Sequence, residues 1–421
     1  MIKGFLFEQF KGYDKAVLWL EQVTTLIGTN ASGKSNAIEG IQILSELSVG
    51  RELNVIFEGT NNIESAIRGG AKGCCRFGAK SFKLGCLVLY NETYDILYRI
   101  SIGVTNRITI DAEDLYLVKK GKTDANHGKP IFKAEAQADS GDIVVEYSNG
   151  KRGANPQLRA IRSMSVLSQM QGKLPTEIEN YEETLRIIRL VQEDLSKIYI
   201  MDPIPAMMHH YSRIGDSDLR RNCSNISSVL FALSQKKDES WKEFENLVKT
   251  LPENEIKEID FVTTSLNDVI LIEKEETETS FAKIDAARLS DGTLRCIAAL
   301  AAVMSIPEGG LVIVEEVDNG IHPSRAQKLM STLATIARKR GVELIVTTHN
   351  VTVLNGLDKN DILGVSVAYR DAETKASRIV PFVDIQNQEM ILATGGIGQA
   401  LETDSILRSI KKKETFVPFQ F

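Results

Sequence analysis

Apolar and polar positions alternate on a strand-like period at the start of the chain. Phe5, Phe7 and Phe10 sit among polar neighbours, and Val23-Thr24-Thr25-Leu26-Ile27 is rich in β-branched residues. A glycine-bearing loop follows, and then Ile38, Ile41 and Leu44 recur at helical spacing. From about 55 to 165 the pattern is strand-like again, punctuated by the turn sequences Arg68-Gly69-Gly70 and Ser148-Asn149-Gly150. Leu87-Val88-Leu89-Tyr90 and Ile96-Leu97-Tyr98 flank the polar Asn91-Glu92-Thr93, which predicts neighbouring antiparallel strands. Over 173–255 the period changes: Glu177–Leu195 and Trp241–Leu251 are charged, with apolar residues at helical spacing. This predicts a helical lobe, too short for a long coiled-coil arm. Beyond 257 the strand-like pattern resumes, and 289–350 alternates helix and strand as a parallel sheet does. No internal repeat or low-complexity segment interrupts it.

Composition narrows the class of protein. A chain of 421 residues is long enough for one large domain with a second lobe. No run of 18 apolar residues occurs, so no membrane span is expected. The opening Met1–Glu8 resembles a strand rather than a signal peptide, and a cytoplasmic location is expected. Cys74, Cys75, Cys86, Cys223 and Cys296 form an odd set without metal-type spacing, as expected of reduced thiols. The adjacent pair Cys74-Cys75 is an ordinary pair, since neighbouring cysteines rarely bridge. A net charge of −6 argues against bulk nucleic-acid binding, while leaving room for a local basic groove. The densest basic cluster, Arg408-Ser409-Ile410-Lys411-Lys412-Lys413, has the character of a solvated helix end.

Four motifs carry candidate chemistry. Gly28-Thr29-Asn30-Ala31-Ser32-Gly33-Lys34-Ser35 fits the phosphate-loop pattern G-x-x-x-x-G-K-[ST], between a β-rich run and a helix. There the backbone N–H groups of Asn30, Ala31, Ser32 and Gly33 curl around a phosphate at a helix N-terminus. Lys34 would reach the outer phosphates of ATP and Ser35 would hold Mg²⁺. Leu311-Val312-Ile313-Val314 is a buried-strand run ending in Glu315-Glu316. Glu315 is the candidate metal support, standing where an aspartate is usual, and Glu316 the candidate general base. In Leu289-Ser290-Asp291-Gly292-Thr293-Leu294-Arg295, Ser290 suits the N-cap of the apolar helix Leu294–Met304, which Pro307 ends. That serine is either a plain cap or, with Gly292 and bare helix amides, a second anion site. Glu343-Leu344-Ile345-Val346-Thr347-Thr348 delivers His349 at a strand end, after a helix capped by Gly341. A histidine there can bond a γ-phosphate and sense its loss.

In this order the four motifs resemble the ABC-type ATPase heads of the SMC, RecF and OLD-like group. The resemblance makes Gly28–Ser35 Walker A, Leu289–Arg295 the signature, Glu315-Glu316 Walker B and His349 the switch histidine. It implies an α/β, ABC-type P-loop NTPase head with a mixed central sheet, an antiparallel β subdomain and an inserted helical lobe. The expected divisions are 1–172, 173–256 and 257–421. It also implies ATP and Mg²⁺ as cofactors, ATP hydrolysis, and a homodimer or higher homo-oligomer. In such a dimer Ser290 and Gly292 of one copy meet the ATP held by the other. The run Val317-Asp318-Asn319-Gly320-Ile321-His322-Pro323 is similar to an OLD-like "E-P-E-x-x-L-H-P" run, from which Val317 and Asp318 depart. His322 is expected to position that loop. Asn222-Cys223-Ser224-Asn225-Ile226, before a lobe helix, extends the likeness.

Gln169 is the best candidate for the Q-loop glutamine that joins Mg²⁺ to the lobe, and equally a plain exposed glutamine. Phe10, Lys11 and Tyr13 lie where adenine or phosphates could be touched, or else serve core and surface. The residues after His349 carry no acidic triad or H-N-H pattern of a nuclease. The chain therefore resembles the stand-alone ATPase components of anti-phage systems such as PARIS, AbiL and Septu. The expected role is a sensor or scaffold that controls a separately encoded nuclease or toxin. The alternative is a RecF-like DNA-repair clamp, with nucleic acid as its partner.

Overall fold

The computed structural model describes residues 1–59, 67–121, 128–137, 140–151, 153–250, 256–276, 281–394, 396–403 and 405–410. Lys411, Lys412 and Lys413 of the basic tail lie outside the described residues.

One mixed sheet of 14 strands organises the molecule. Its centre is parallel, with Ile198–Met201, Leu311–Val314, Glu343–Thr348, Val23–Ile27 and Val365–Arg370 side by side in that order. Every residue of Leu311–Val314, Glu343–Thr348 and Val23–Ile27 is buried. Burial on both faces is why these strands have continuous apolar sequences instead of alternating ones. Leu311, Ile313 and Ile345 enter a core with Ile38, Ile41 and Leu44 of the helix Lys34–Ser48. Val312, Val314, Leu344 and Val346 enter the opposite core, with Ile297 and Leu300 of Asp291–Ser305 and Leu329 and Leu333 of Pro323–Arg340. Among the described residues no helix is long and apolar enough to cross a membrane.

The hairpin Ile2–Phe10/Tyr13–Trp19 carries the sheet into an antiparallel extension of six further strands between Ser81 and Ile161. The pairing expected around Asn91-Glu92-Thr93 is present, with Leu87 opposite Leu97 and Val88 opposite Ile96. This extension is hydrogen-bonded to the central strands as one sheet.

The structure divides the chain differently around the lobe. Ile187, Ile188, Val191 and Leu195 of the helix Tyr181–Ser196 lie in the core beneath the main sheet, and Ile198–Met201 is that sheet's edge strand. The lobe holds helices Ile226–Gln235 and Glu239–Lys249 together with a small antiparallel sheet, which includes Ile256–Thr263 and Asp268–Glu276. Helical spacing identifies a buried face without saying which core buries it, so 181–201 could not be separated from the lobe by pattern.

Glu113, on the strand Ile108–Lys119, ties the antiparallel extension to the helix Val166–Lys173. Its carboxylate is 1% exposed and accepts the N–H groups of Val166 at 2.6 Å and Leu167 at 2.7 Å, and the Tyr98 hydroxyl at 3.1 Å. Burial pushes its carboxyl up to about 7, against the opposing pull of those donors. The folded state therefore favours the protonated form. The associated stability is fully present below the ordinary value of 4.5 and is lost as pH rises through about 7. Relative to the non-titrating Glu113→Gln, wild-type stability is expected to fall by on the order of 3 kcal/mol across that window. Urea unfolding at stepped pH measures it, and a pH-independent difference between the two proteins would exclude it.

Candidate nucleotide-binding site

The site forms where the parallel strands end. Met201 lies opposite Val314, Val314 opposite Val346, and Thr348 opposite Ile27. Because adjacent strands are about 4.8 Å apart, this register sets Asp202, Glu315, His349 and the loop at Gly28 along one edge. Such an edge, at the carboxyl ends of parallel strands, is where open α/β sheets bind ligands.

Gly28–Ser35 leaves Val23–Ile27 and enters the helix Lys34–Ser48. Gly28 has φ +149° and a methyl built on it would lie 2.2 Å from the Ala368 carbonyl oxygen, so only glycine fits. Ala31 has φ 62°, a left-handed conformation that costs a non-glycine residue about 1 kcal/mol. The helix begins at Gly33 with no side-chain cap, leaving its first amides bare for an anion. Ser32 Oγ is buried and has no hydrogen-bond partner, a second feature that a phosphate would satisfy. The Lys34 ammonium bonds the carbonyls of Gly28 at 2.7 Å and Thr29 at 3.1 Å. Burial lowers its proton affinity, while Glu316 and Asp318 raise it.

The acids are held by the next strand. Glu316 has φ 48°; its N–H donates to Thr347 Oγ1 at 2.8 Å, and its carboxylate accepts from Asn319 Nδ2 at 3.2 Å. Thr348 Oγ1 donates to Asp318 Oδ1 at 2.7 Å and accepts the N–H of Asn350 at 3.0 Å. One pair of threonines thus fixes the acidic turn and the turn that carries His349. His349 itself is exposed and makes no hydrogen bond among the described residues, leaving its ring free for a ligand.

Glu315 is half-buried, and burial raises its proton affinity; a hydrogen bond from Ser35 opposes this, Asp202 adds to it, and Arg221 and Arg68 oppose it. A serine hydroxyl bonded to a carboxylate beside a second acid is a hard, oxygen-only donor set. It fits a magnesium ion that completes its shell with phosphate and water. Among the described residues no group of three or more His, Cys, Asp or Glu could hold a metal ion.

Ser290 caps Asp291–Ser305, accepting the N–H of Thr293 at 3.1 Å, and stays exposed. Gly292 is buried against the loop that follows the acids: a methyl built on it would lie 2.8 Å from the Gly320 carbonyl oxygen. No hydrogen bond links Ser290 to Gly28–Ser35 among the described residues.

Three expected contacts fall elsewhere. Gln169 bonds the backbone at Ile161, Met164 and Ser165. Its helix packs near Gly50, where an added methyl would lie 3.4 Å from Ser168 Cβ. That is the far end of Lys34–Ser48, about 22 Å from Lys34 at 1.5 Å per residue, so Gln169 neither ligates the metal nor contacts the nucleotide. Asp202, at the end of the neighbouring strand, lies near Glu315 and raises its proton affinity. Phe10 and Tyr13 are fully buried and cannot stack on a base; the Tyr13 hydroxyl braces the loop from below, donating to the Gly33 carbonyl at 2.8 Å. Lys11 pairs with the buried Glu39 and bonds the Arg68 carbonyl at 3.1 Å. Asp202, Thr347, Thr348 and Asp318 escape a motif search because each sits in or beside an ordinary strand. The available clue is a Thr-Thr pair ending an otherwise aliphatic run.

Fold and site together are those of an α/β protein with a mixed central sheet and a phosphate-loop sequence between a parallel strand and a helix. The model of the family "AAA domain, putative AbiEii toxin, Type IV TA system" matches residues 229–355, which hold the signature turn, the acids and His349. Among solved structures, an Smc head bound to the C-winged helix domain of ScpA is similar at 14% identity and TM-score 0.49, over 90% of this chain and 97% of that one. The SMC head domain from Thermotoga maritima matches at 13% identity and TM-score 0.38, over 90% and 98%. The Smc head of Pyrococcus yayanosii with a coiled coil and joint matches at 10% identity and TM-score 0.44, over 96% and 99%. No curated protein matches.

Gly28→Ala is expected to push the loop away from the Ala368 carbonyl and to lower ATP affinity at least 100-fold, about 2.7 kcal/mol. Isothermal titration checks this; unchanged affinity would mean that ATP does not use this loop.

Proposed function

We propose that this chain binds ATP with Mg²⁺ at Gly28–Ser35, pairs with a second copy around two nucleotides, and hydrolyses them. The reading rests on the separate placement of two candidate groups. The loop, Glu315, Glu316 and His349 share one strand edge, while Ser290 faces outward on another helix. Lys34 exchanges the carbonyls of Gly28 and Thr29 for the outer phosphates. Ser35 and Glu315 hold the metal, which when bound offsets phosphate charge. Glu316, aimed by Thr347 and Asn319, orients a water and takes its proton. His349 contacts the γ-phosphate, and Ser290 with Gly292 of the partner copy closes over it.

The closed pair is the state that controls a separately encoded nuclease or toxin in defence against phage. The match of residues 229–355 to a family described as a toxin of a type IV system supports that setting.

Glu316→Gln is expected to bind ATP normally, to release phosphate at least 100-fold more slowly, in the range of losing a general base, and to accumulate as a dimer. Light scattering with saturating MgATP distinguishes this from Lys34→Ala, which stays monomeric. Only monomers of Glu316→Gln would sink the paired mechanism. Unaltered phage plating on deletion, together with salt-sensitive DNA binding without any companion protein, would replace the defence role with a DNA clamp.

A further inference from the structure

We infer that His209 is a positioning residue for the signature turn and serves the nucleotide held by the partner copy; this rests on the paired-site reading above. His209 follows the short helix Pro205–Met208, which leaves the edge strand Ile198–Met201 of the parallel centre. Its ring Nδ1 lies 2.6 Å from the Ala286 carbonyl oxygen and its Nε2 lies 3.2 Å from Asp291 Oδ1. Ala286 opens the turn Ala286–Arg288, and Asp291 is the first residue of the helix that Ser290 caps. The ring therefore spans the signature turn at both ends. Both ring nitrogens face oxygen atoms of the turn.

The opposite side of the turn is held independently. Gly292 abuts the Gly320 carbonyl, and Arg325 Nη1 reaches Thr293 Oγ1 at 3.4 Å. Ser290 thus has a backbone fixed from two sides and an exposed hydroxyl. Removing the ring frees the half of the turn that faces outward, without touching Gly28–Ser35. Because a misplacement of about 1 Å at a reacting group can cost on the order of 100-fold in rate, the loss falls on turnover in the pair. ATP binding by a single copy stays as it was.

The test is complementation between two inactive variants. His209→Ala alone is expected to bind ATP within about twofold of wild type and to lose on the order of 10- to 100-fold in hydrolysis. Mixed with Lys34→Ala, it forms pairs in which its own intact loop meets the partner's intact turn. Each mixed pair has one whole site of two, so up to about half of the wild-type rate per mixed pair is restored. Ser290→Arg mixed with Lys34→Ala is the parallel control. Rescue in both mixtures supports the inference. Rescue in the control alone, or full activity of His209→Ala, overturns it, because the residue would then act within its own copy or not at all. Rescue in neither removes the paired site itself, and the inference with it. If His209→Ala fails to fold by circular dichroism, Asp291→Ala, at an exposed side chain, removes the Nε2 acceptor and takes its place in the same mixtures with the same outcomes.

Discussion

The register between Leu311–Val314 and Glu343–Thr348 is the constraint on which the site depends. Val314 is paired with Val346, so the second strand runs two residues further than the first. Those two residues are Thr347 and Thr348, and they fall beside the point where the first chain turns away. Their hydroxyls take the Glu316 N–H and the Asp318 carboxylate. A slip of one residue would exchange the two cores for each side chain and turn both hydroxyls away from the acids. The alternate burial of Leu311 and Ile313 against Val312 and Val314 makes such a slip costly. The aliphatic core therefore holds the geometry of the acidic turn, and the threonines transmit it.

Charge balance at the strand edge supports the proposal that nucleotide and metal bind together. Lys34 is the cation of the loop, and it shares its surroundings with Glu316 and Asp318, while Glu315 has Asp202 beside it. A bare triphosphate would enter next to several acids. Burial already favours the neutral forms of both Lys34 and Glu315, so each gains from a partner of opposite sign. A phosphate supplies it for Lys34 and a divalent cation supplies it for Glu315.

Much of this was legible from the sequence. Gly28–Ser35, the aliphatic strands ending at Glu315 and His349, and the Ser290 cap each have a local signature that the fold uses directly. What escaped was set by which element packs beside which. Gln169 has the right residue type but lies at the wrong end of the helix Lys34–Ser48, a distance no local pattern encodes. Asp202 follows a four-residue edge strand, too short to announce itself. Phe10 and Tyr13 do lie near the loop, and only burial decides that they support it from the core side. His209 has no motif at all; its role comes from a contact across 77 positions of sequence.

The segment from Glu316 to Ile321 belongs to both halves of the proposed pair. Its first residue follows Glu315 at the strand edge beside Gly28–Ser35, and its Gly320 carbonyl backs Gly292, two residues from Ser290. The span between them is not a slack loop: Asn319 N–H bonds the Glu316 carbonyl at 2.8 Å and Ile321 N–H bonds the Asp318 carbonyl at 3.1 Å. Two consecutive tight turns, anchored at Asp318 by Thr348, leave little room to absorb a displacement at one end. If the pair closes as proposed, a shift of Glu316 on loss of the γ-phosphate is passed to the signature turn and so to the opposite nucleotide. Coupling of this kind needs a two-state element that both sites bias. The turn held between Gly320 on one side and His209 on the other is the element in this chain with contacts to both.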